Sequence, residues 1–529
     1  MRNIPARIAS IVIIIAVLAP CAPFAANAAY DYYWFGTAGD GNWMNVENWS
    51  TTSNEYTKAT SWPHSTSFDV FIDTSRASDH HLTIRVPRKA PSGNTPGCAS
   101  FTFYDSTGEG TLTMVGEGNE EGMASFPLGS NIIPTWSETG HPMHLELFNF
   151  NLRSGTLNKT ENECAGCSLL LSNCVSTSTS NSYYLKLPGQ HGGTVAIVDS
   201  VVTSQIVNAS NPVDIAPHVL AITNSILHAN LGFCFGGPGS VMDVVDSTIS
   251  FGMYAPNFGA IGVGSTNEHP NISVRFKNSV FESTNNSGIF AYFFSDNGKL
   301  VFDNVTQDGV FNGIELIGFT TWLTNTSFKF RAPNENAYRG ISGDLYLDNS
   351  EWLNTNASKC TILNAPLHVT LSGRAPRFGT SYISASAGQP LTFDFLVPKG
   401  GYAYPPVNRM DNPATGINFP SSVVGGSINV LPESPAARAS GTLLQPLIYV
   451  KDVKSNQPVC ALANLTLTTL PNEKSKFLVT KDYSWEYEDV NSKAESDWTE
   501  VATGYNQNFV AGVAVKIVGP KPGLSVFIR

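Results

Sequence analysis

Charged side chains are scarce in this sequence, and basic ones are scarcer than acidic ones. Charged residues make up 14% of the 529 residues, against about 25% in an average soluble domain. The chain has 31 Lys and Arg against 42 Asp and Glu, which gives a net charge of −11. Nucleic acids and anionic lipid surfaces both require a basic patch on their partner. We therefore expect neither of them to be a partner.

Long apolar runs are also missing, apart from one near the start of the chain. Residues 1–28 combine the basic Arg2 and Arg7 with an apolar run at 8–18 and end in Ala26-Asn27-Ala28, which matches a secretory cleavage site. The apolar run is too short to span a bilayer as a helix. The sequence predicts an exported bacterial protein, secreted or held at the cell surface. We expect no membrane-spanning segment in the mature chain.

Cysteines are few, and seven of the eight follow the predicted signal peptide. Cys164, Cys167 and Cys174 form the only local group. Export permits disulfides, so we expect one short-range bridge within this group, with its pairing left open. A zinc site is not expected, because a second pair of ligands is missing. Seven is an odd number, so at least one thiol stays unpaired or links two copies of the chain.

What the sequence has instead is a short phrase that recurs through its middle. The phrase reads apolar–x–(Asn/Asp)–(Ser/Thr/Cys)–x–apolar, as in Phe276-Lys277-Asn278-Ser279-Val280-Phe281. Successive corner residues (Asn or Asp) lie 21 to 32 residues apart, at positions 149, 173, 199, 224, 246, 278, 304, 325 and 349. Fainter copies follow at Leu371-Ser372-Gly373 and Val397-Pro398-Lys399. A period near 25 residues with two-residue alternation inside each unit indicates a stack of strand-built coils.

Each part of the phrase has a physical reason. Alternating apolar residues turn one face of a short strand inward. Asn and Asp tolerate the left-handed backbone conformation, so the chain can turn a tight corner there. Stacked coils would place these side chains about 4.8 Å apart, where their amides can form a ladder. A single coil cannot bury its apolar side, so each coil is expected to depend on its neighbours.

Three strands can be read in each of the best-preserved coils, and this pattern resembles the right-handed parallel β-helix of the pectate-lyase-like superfamily. The opening residues Trp34-Phe35-Gly36, Gly39-Asp40-Gly41-Asn42-Trp43 and Asn48-Trp49 resemble the start of bacterial secreted β-helix and autotransporter-passenger-like proteins. We interpret their tryptophans as a cover over the first open coil. A tryptophan-lined sugar site is the alternative.

The predicted fold class is all-β: a single-stranded right-handed parallel β-helix, a solenoid of about 25 residues per coil, with an N-terminal and a C-terminal β cap. The predicted segments are a signal peptide (1–28), an N-terminal cap with the first irregular coils (29–145), a regular β-helix (146–400), and C-terminal coils with a β cap (401–529).

Acidic and aromatic residues on the outer face of the coils are the candidate site residues. Aligning the coils places Phe290 and Glu315 in one outward column, and Tyr292 and Asp344 in the next. Glu315 and Asp344 are candidate catalytic carboxylates, because glycoside hydrolysis uses two. Tyr292 and Arg339 complete a candidate glycan groove. The paired-Asp, Gly-His-Gly and Arg-x-Lys motifs of polygalacturonase-type enzymes are absent, as are the clustered Asp and Arg of pectate lyases.

These observations favour a structural or adhesive protein over an enzyme, with glycans or cell-surface proteins as partners. We expect no cofactor; only a lyase would require Ca²⁺. One alternative is a polysaccharide lyase or glycoside hydrolase that acts on the outer strand face. Another is a self-assembling filament subunit, joined end to end or through an unpaired cysteine.

Overall fold

The structure of the chain is a computed structural model, and its described part is all-β. It contains forty strands, numbered here along the chain, and two single-turn 3₁₀ helices, Val46–Asn48 and Thr74–Arg76. No helix in this part is long and apolar enough to cross a membrane. The described residues are 30–65, 67–88, 95–118, 122–126, 131–132, 141–152, 156–157, 166–176, 184–186, 192–209, 217–259, 270–331, 343–354, 359–362, 367–372, 377–379, 382–385, 391–397, 426–432, 447–450, 462–469, 476–480, 499–501, 505–509 and 513–518.

Most strands fall into three series, and within each series a strand pairs in parallel with its counterpart about one repeat away. The first series includes every strand that leads into a corner residue of the phrase. Its members are β4 (His81–Pro87), β6 (Gly110–Glu117), β9 (Met143–Phe148), β12 (Ser168–Ser172), β14 (Gly193–Val198), β16 (His218–Thr223), β18 (Val241–Val245), β21 (Ser273–Lys277), the second parts of β23 (Ile289–Asp303) and β25 (Phe311–Thr324), β27 (Gly343–Asp348), β30 (Leu367–Ser372), β33 (Leu391–Val397), β34 (Gly426–Pro432) and β36 (Leu462–Thr469).

The second and third series are shorter. After the corner come β7 (Ala124–Ser125), β10 (Phe150–Asn151), the first parts of β15 (Val201–Ala209) and β17 (Ile226–Phe235), β19 (Thr248–Phe251), β22 (Val280–Ser283), β24 (Thr306–Gly309), β26 (Ser327–Phe330), β28 (Glu351–Asn354) and β31 (Arg377–Gly379). The third series comprises β8 (Asn131–Ile132), β11 (Thr156–Leu157), β13 (Tyr184–Lys186), the second parts of β15 and β17, β20 (Asn257–Phe258) and the first parts of β23 and β25. β29 (Lys359–Ile362) and β32 (Tyr382–Ala385) form a separate parallel pair.

The two ends of the chain depart from this parallel order. At the start, β1 (Tyr30–Trp34), β3 (Phe68–Asp73) and β5 (Ser100–Tyr104) are parallel, but β2 (Trp49–Ser50) runs antiparallel to β1. Near the end, the pairing is antiparallel among β35 (Leu447–Val450), β37 (Lys476–Thr480), β38 (Thr499–Val501) and β40 (Val513–Val518), and between β36 and β39 (Tyr505–Phe509). Parallel pairing of the first series extends from β4 to β36.

The corner prediction is confirmed at all nine clear copies of the phrase. Each Asn or Asp at these positions has a left-handed backbone, with φ between 45° and 62°. Four pairs of neighbouring corners are joined by a side-chain amide that donates to the side-chain oxygen of the previous corner, at 2.6 to 3.0 Å: Asn173 to Asn149, Asn224 to Asp199, Asn304 to Asn278, and Asn349 to Asn325. The predicted ladder is therefore present in part.

A second ladder runs beside the first, one residue after each corner. A buried hydroxyl there accepts a hydrogen bond from the backbone N–H of the same position in the previous repeat, at 2.9 to 3.2 Å; we call this set the hydroxyl column. The bonds run from Cys174 to Ser200, Ser200 to Ser225, Ser225 to Ser247, Ser247 to Ser279, Val305 to Thr326, and Thr326 to Ser350. Each hydroxyl also donates to the carbonyl two residues before it, at 2.6 to 2.9 Å.

The core consists of apolar residues that point inward from the three series. The apolar residue two positions before each corner is at most 4% exposed from Leu147 to Leu371. Phenylalanines stack between paired strands, as in Phe276 and Phe302, whose ring centroids lie 5.2 Å apart with an angle of 8° between the ring planes. Burying one such side chain contributes about 1.5–3 kcal/mol. Because each repeat buries such a side chain, the alternating pattern stabilises the fold along the chain.

Candidate functional site

Aromatic and charged side chains cluster on the outward side of the first series, between Lys299 and Asp394; we call this surface the outer face. Its aromatic part is a pair of half-buried rings on neighbouring strands, Trp322 and Tyr346, which are directly opposite in register. Their centroids lie 5.5 Å apart and their planes differ by 7°. The ammonium of Lys299 lies 5.4 Å from the centre of the Trp322 ring. Strand alternation places these side chains outward because Leu323, Leu345 and Leu347 point inward.

The charged part of the outer face is a histidine between two carboxylates. The imidazole Nε2 of His368 lies 2.7 Å from Oδ2 of Asp394, and its Nδ1 lies 3.4 Å from Oδ1 of Asp344. The strand register brings these groups together. Asp344 on β27 lies opposite His368 on β30, and Asp394 on β33 lies opposite Thr370, two residues after His368 on β30. Within the described residues, no three His, Cys, Asp or Glu side chains are grouped so as to hold a metal ion.

These carboxylates also affect the phenol of Tyr346. Partial burial of the side chain raises its pKa, and the negative charges of Asp344 and Asp394 raise it further. The Tyr346 hydroxyl therefore stays protonated at neutral pH, so it can both donate and accept a hydrogen bond. The outer face combines an apolar ring with converging polar groups, which is the composition of small-molecule binding sites in general.

The structure corrects the alignment of the predicted site residues. Tyr292 lies directly opposite Glu315, and Phe290 lies opposite Gly313, because a bulge shifts the register after Ile289. Glu315 is also only 2% exposed, so it does not stand on an open outer face.

Asp344 is separated from Glu315 by its place in the fold. Asp344 belongs to the first series, where its neighbour Leu345 lies opposite Thr321, whereas Glu315 belongs to the third. The structure therefore does not bring the two candidate catalytic carboxylates together. Of the predicted groove, Arg339 lies outside the described residues. Tyr292 is half-buried beside Phe294, with ring centroids 5.6 Å apart.

The tryptophans of the opening motif are core residues. Trp34, Trp43 and Trp49 are at most 2% exposed and pack edge to face, with ring centroids 4.8 to 4.9 Å apart. No face of these rings is open to a pyranose, which removes the tryptophan-lined sugar site. Asp40 holds the motif's loop, because its carboxylate accepts hydrogen bonds from the Asn42 N–H and from the amides of Asn45 and Asn48.

The predicted disulfide group is only partly described. Cys174 has a free, buried thiol, which donates to the carbonyl oxygen of Leu147 at 3.4 Å. Cys174 occupies a position of the hydroxyl column, so the structure removes it from the predicted bridge. Cys167 is buried as well, and Cys164 lies outside the described residues.

Sequence reasoning missed Trp322, Tyr346, His368 and Asp394. A signal was present for two of them: Trp322 and Tyr346 lie three residues before a corner of the phrase, at 325 and 349. Comparisons of the chain with protein-family models, with curated proteins and with solved structures found no match.

Proposed function

We propose that the chain forms a right-handed parallel β-helix of about 25 residues per coil, and that it is capped at both ends. The three parallel series, offset by one repeat, support this architecture, as do the left-handed corners and the amide ladder. Antiparallel pairing of β2 and the buried tryptophans support a cap at the N-terminal end. The antiparallel strands after residue 447 support a C-terminal one. Such caps protect open strand edges from aggregation.

The protein's role in this proposal is structural or adhesive, at the surface of a bacterial cell or outside it. Residues 1–28 support export. The low charge and net acidic balance suit a partner that is neither nucleic acid nor anionic lipid. Short, regular coils would present a long side surface rather than a deep cleft, which suits display and attachment.

The outer face is the proposed binding surface, and its partner is a glycan. The observation that supports this most directly is the Trp322–Tyr346 ring pair beside His368, Asp344 and Asp394. Sugars offer C–H faces to aromatic rings and hydroxyls to carboxylates, so this combination matches their chemistry.

The two alternatives have less support. Catalysis by Glu315 and Asp344 would require them to face one substrate, and they lie in different series. Filament formation through cysteine would require an accessible thiol. Cys98 and Cys174 are buried and free, and burial raises the pKa of both, which keeps them unreactive.

The test is retention of the purified protein on a glycan array and on insoluble polysaccharides. We expect retention by the natural chain and its loss in the double variant Trp322→Ala, Tyr346→Ala. Tyr33→Ala is a matched control, since Tyr33 stacks on Phe71 in the N-terminal sheet at 5.0 Å, away from the outer face. Equal loss in the control would refute the assignment of the surface.

A parallel assay addresses catalysis. The same polysaccharides are incubated with the protein, with Ca²⁺ or with a chelator, and reducing ends and unsaturated products are measured. We expect no turnover. Product formation that is lost in Asp344→Asn would replace the adhesive function with an enzymatic one.

A further inference from the structure

Four polar residues near the start of the first series form a continuous row across neighbouring strands; we call them the serine row. Glu109 lies just before β6, His144 lies on β9, Ser168 begins β12 and Thr194 lies on β14. In register, Ser168 lies opposite His144 on one side and opposite Thr194 on the other. The three strand residues point outward, because the residue that follows each of them packs in or against the core.

Hydrogen bonds join the first three members of the row. Oγ of Ser168 lies 2.7 Å from Nδ1 of His144, and Nε2 of His144 lies 2.7 Å from Oε1 of Glu109. An ionised carboxylate only accepts hydrogen bonds, so the neutral imidazole holds its proton on Nε2 and a lone pair on Nδ1. The Ser168 hydroxyl therefore donates to Nδ1. A hydroxyl bonded to a base that a third group orients is the arrangement of an activated nucleophile.

The surroundings of Ser168 suit an ester. Ser168 and the imidazole of His144 are half-buried, and Thr194 is exposed. Neighbouring backbones are about 4.8 Å apart, so the Thr194 hydroxyl is close enough to donate to an oxyanion formed beside Ser168. Two residues further along the same strands, Leu170 and Ala196 lie opposite each other and are half-buried. This pair supplies an apolar surface for a short acyl group.

We propose that Ser168 is the nucleophile of an esterase site that removes short acyl groups, such as acetyl, from accessible hydroxyls of a partner molecule. Oγ of Ser168 attacks the ester carbonyl carbon, and the serine proton passes to Nδ1 of His144. The bond from the acyl carbon to the alcohol oxygen then breaks, and the leaving oxygen takes that proton. Water attacks the acyl-serine in the same way, which releases the carboxylic acid and returns the proton to Ser168.

The other two members of the row have distinct roles in this reaction. Thr194 is the oxyanion donor. Glu109 is a positioning residue, because it fixes the tautomer and the orientation of His144. The site is separate from the outer face, since β12 lies five strand pairings before the second part of β23, or about 24 Å. The esterase activity therefore does not depend on glycan binding there.

The experiment is labelling of the full chain with a fluorophosphonate probe, which reacts with activated serine hydroxyls. Mass spectrometry of the peptides locates the adduct. We expect the adduct at Ser168 and its loss in Ser168→Ala. Ser172→Ala is the matched control, because Ser172 also points outward from β12 beside the buried Leu171, and it should be labelled at the natural rate.

Variants of the row test each role, with circular dichroism to verify the fold. His144→Gly should slow labelling about a hundredfold or more, and added imidazole should restore part of the rate, which a purely structural defect would not allow. Glu109→Gln should slow labelling about tenfold or more, whereas Glu109→Asp keeps the carboxylate and should retain more of the rate. Thr194→Val should slow hydrolysis of p-nitrophenyl acetate about tenfold or more.

Several results would overturn the proposal. They are an adduct at another serine, equal labelling of Ser168→Ala, and labelling of His144→Gly at the natural rate. Labelling of Ser168 without hydrolysis of p-nitrophenyl acetate above that of Ser168→Ala would also overturn it, because an esterase must release its acyl group. Each of these results would leave the glycan-binding proposal in place.

Discussion

Replacing Val305 with threonine should make the protein more stable. Val305 occupies the position in the hydroxyl column that Ser or Thr occupies in neighbouring repeats, and it is 3% exposed. The backbone N–H of Ser279 therefore has no hydroxyl to bond at position 305, whereas the N–H groups of Ser247 and Val305 each bond a hydroxyl of the next repeat. A threonine hydroxyl at this position would restore the missing bond.

The expected change in the free energy of unfolding is the balance of two opposing effects. Val305→Thr removes one buried methyl group, which costs about 0.8 kcal/mol. A buried donor without an acceptor costs about 1–3 kcal/mol, and the new hydroxyl would remove that cost. The hydroxyl's own proton can go to the carbonyl of Asp303, as Thr326 donates to Thr324 at 2.9 Å. The free energy of unfolding should rise by about 1 kcal/mol.

Hydrogen exchange at the Ser279 amide provides the local measurement, and the urea midpoint provides the global one. A gain of about 1 kcal/mol slows exchange about fivefold. Val305→Ala is the control, because it loses apolar contacts without adding a hydroxyl and should be destabilised by about 2 kcal/mol. If Val305→Thr shifted both measurements in the direction of Val305→Ala, the role assigned to the hydroxyl column would be wrong.

Three further predictions concern positions fixed by hydrogen bonds or tight contact. Ser225→Ala should lower the unfolding free energy by about 1–3 kcal/mol, seen in urea, because it orphans the Ser200 N–H. Burial would raise the pKa of Asp105, but hydrogen bonds from His80, Thr107 and Thr74 lower it overall. The stability that the ionised Asp105 contributes should therefore be lost as the pH falls through this lowered pKa. In Asp105→Asn, the melting temperature should fall less steeply with pH in the acid range. Gly41→Ala should lower the melting temperature, since φ is +64° and a Cβ would lie 2.8 Å from the Thr83 carbonyl oxygen; an unchanged melting temperature would contradict this.

The corner residues could be predicted because their information is local. A left-handed corner needs a residue that tolerates positive φ, and the presence of Asn or Asp at one position is enough to indicate it. The inward apolar residue two positions earlier is equally direct, as at Phe276 and Leu347, which are fully buried. The hydroxyl column was visible in the phrase as a preference for Ser and Thr. Its role emerged only from the structure, because the partner N–H belongs to a residue more than twenty positions away.

The register of the third series could not be predicted in the same way. The alignment that placed Phe290 beside Glu315 assumed equal spacing through the coil. The chain instead has a bulge near Asn312 and a left-handed turn at Gly318, with φ of 68°. A bulge changes which residues lie opposite while the two-residue alternation looks the same. Distance along the sequence from the corner is therefore informative for the strand before the corner and loses its value in strands beyond a bulge.

The strand before each corner contains both constant and variable positions. Three residues before each corner, the outward position changes from Trp322 to Tyr346 to Thr370 to Asp394, while the inward neighbour one residue later stays apolar. The corner and the core fix each repeat, and the outward position differs in size and charge from one repeat to the next. For that reason, aligning the coils on the corner residue and comparing outward positions is a direct way to find a binding surface in a repeat of this kind.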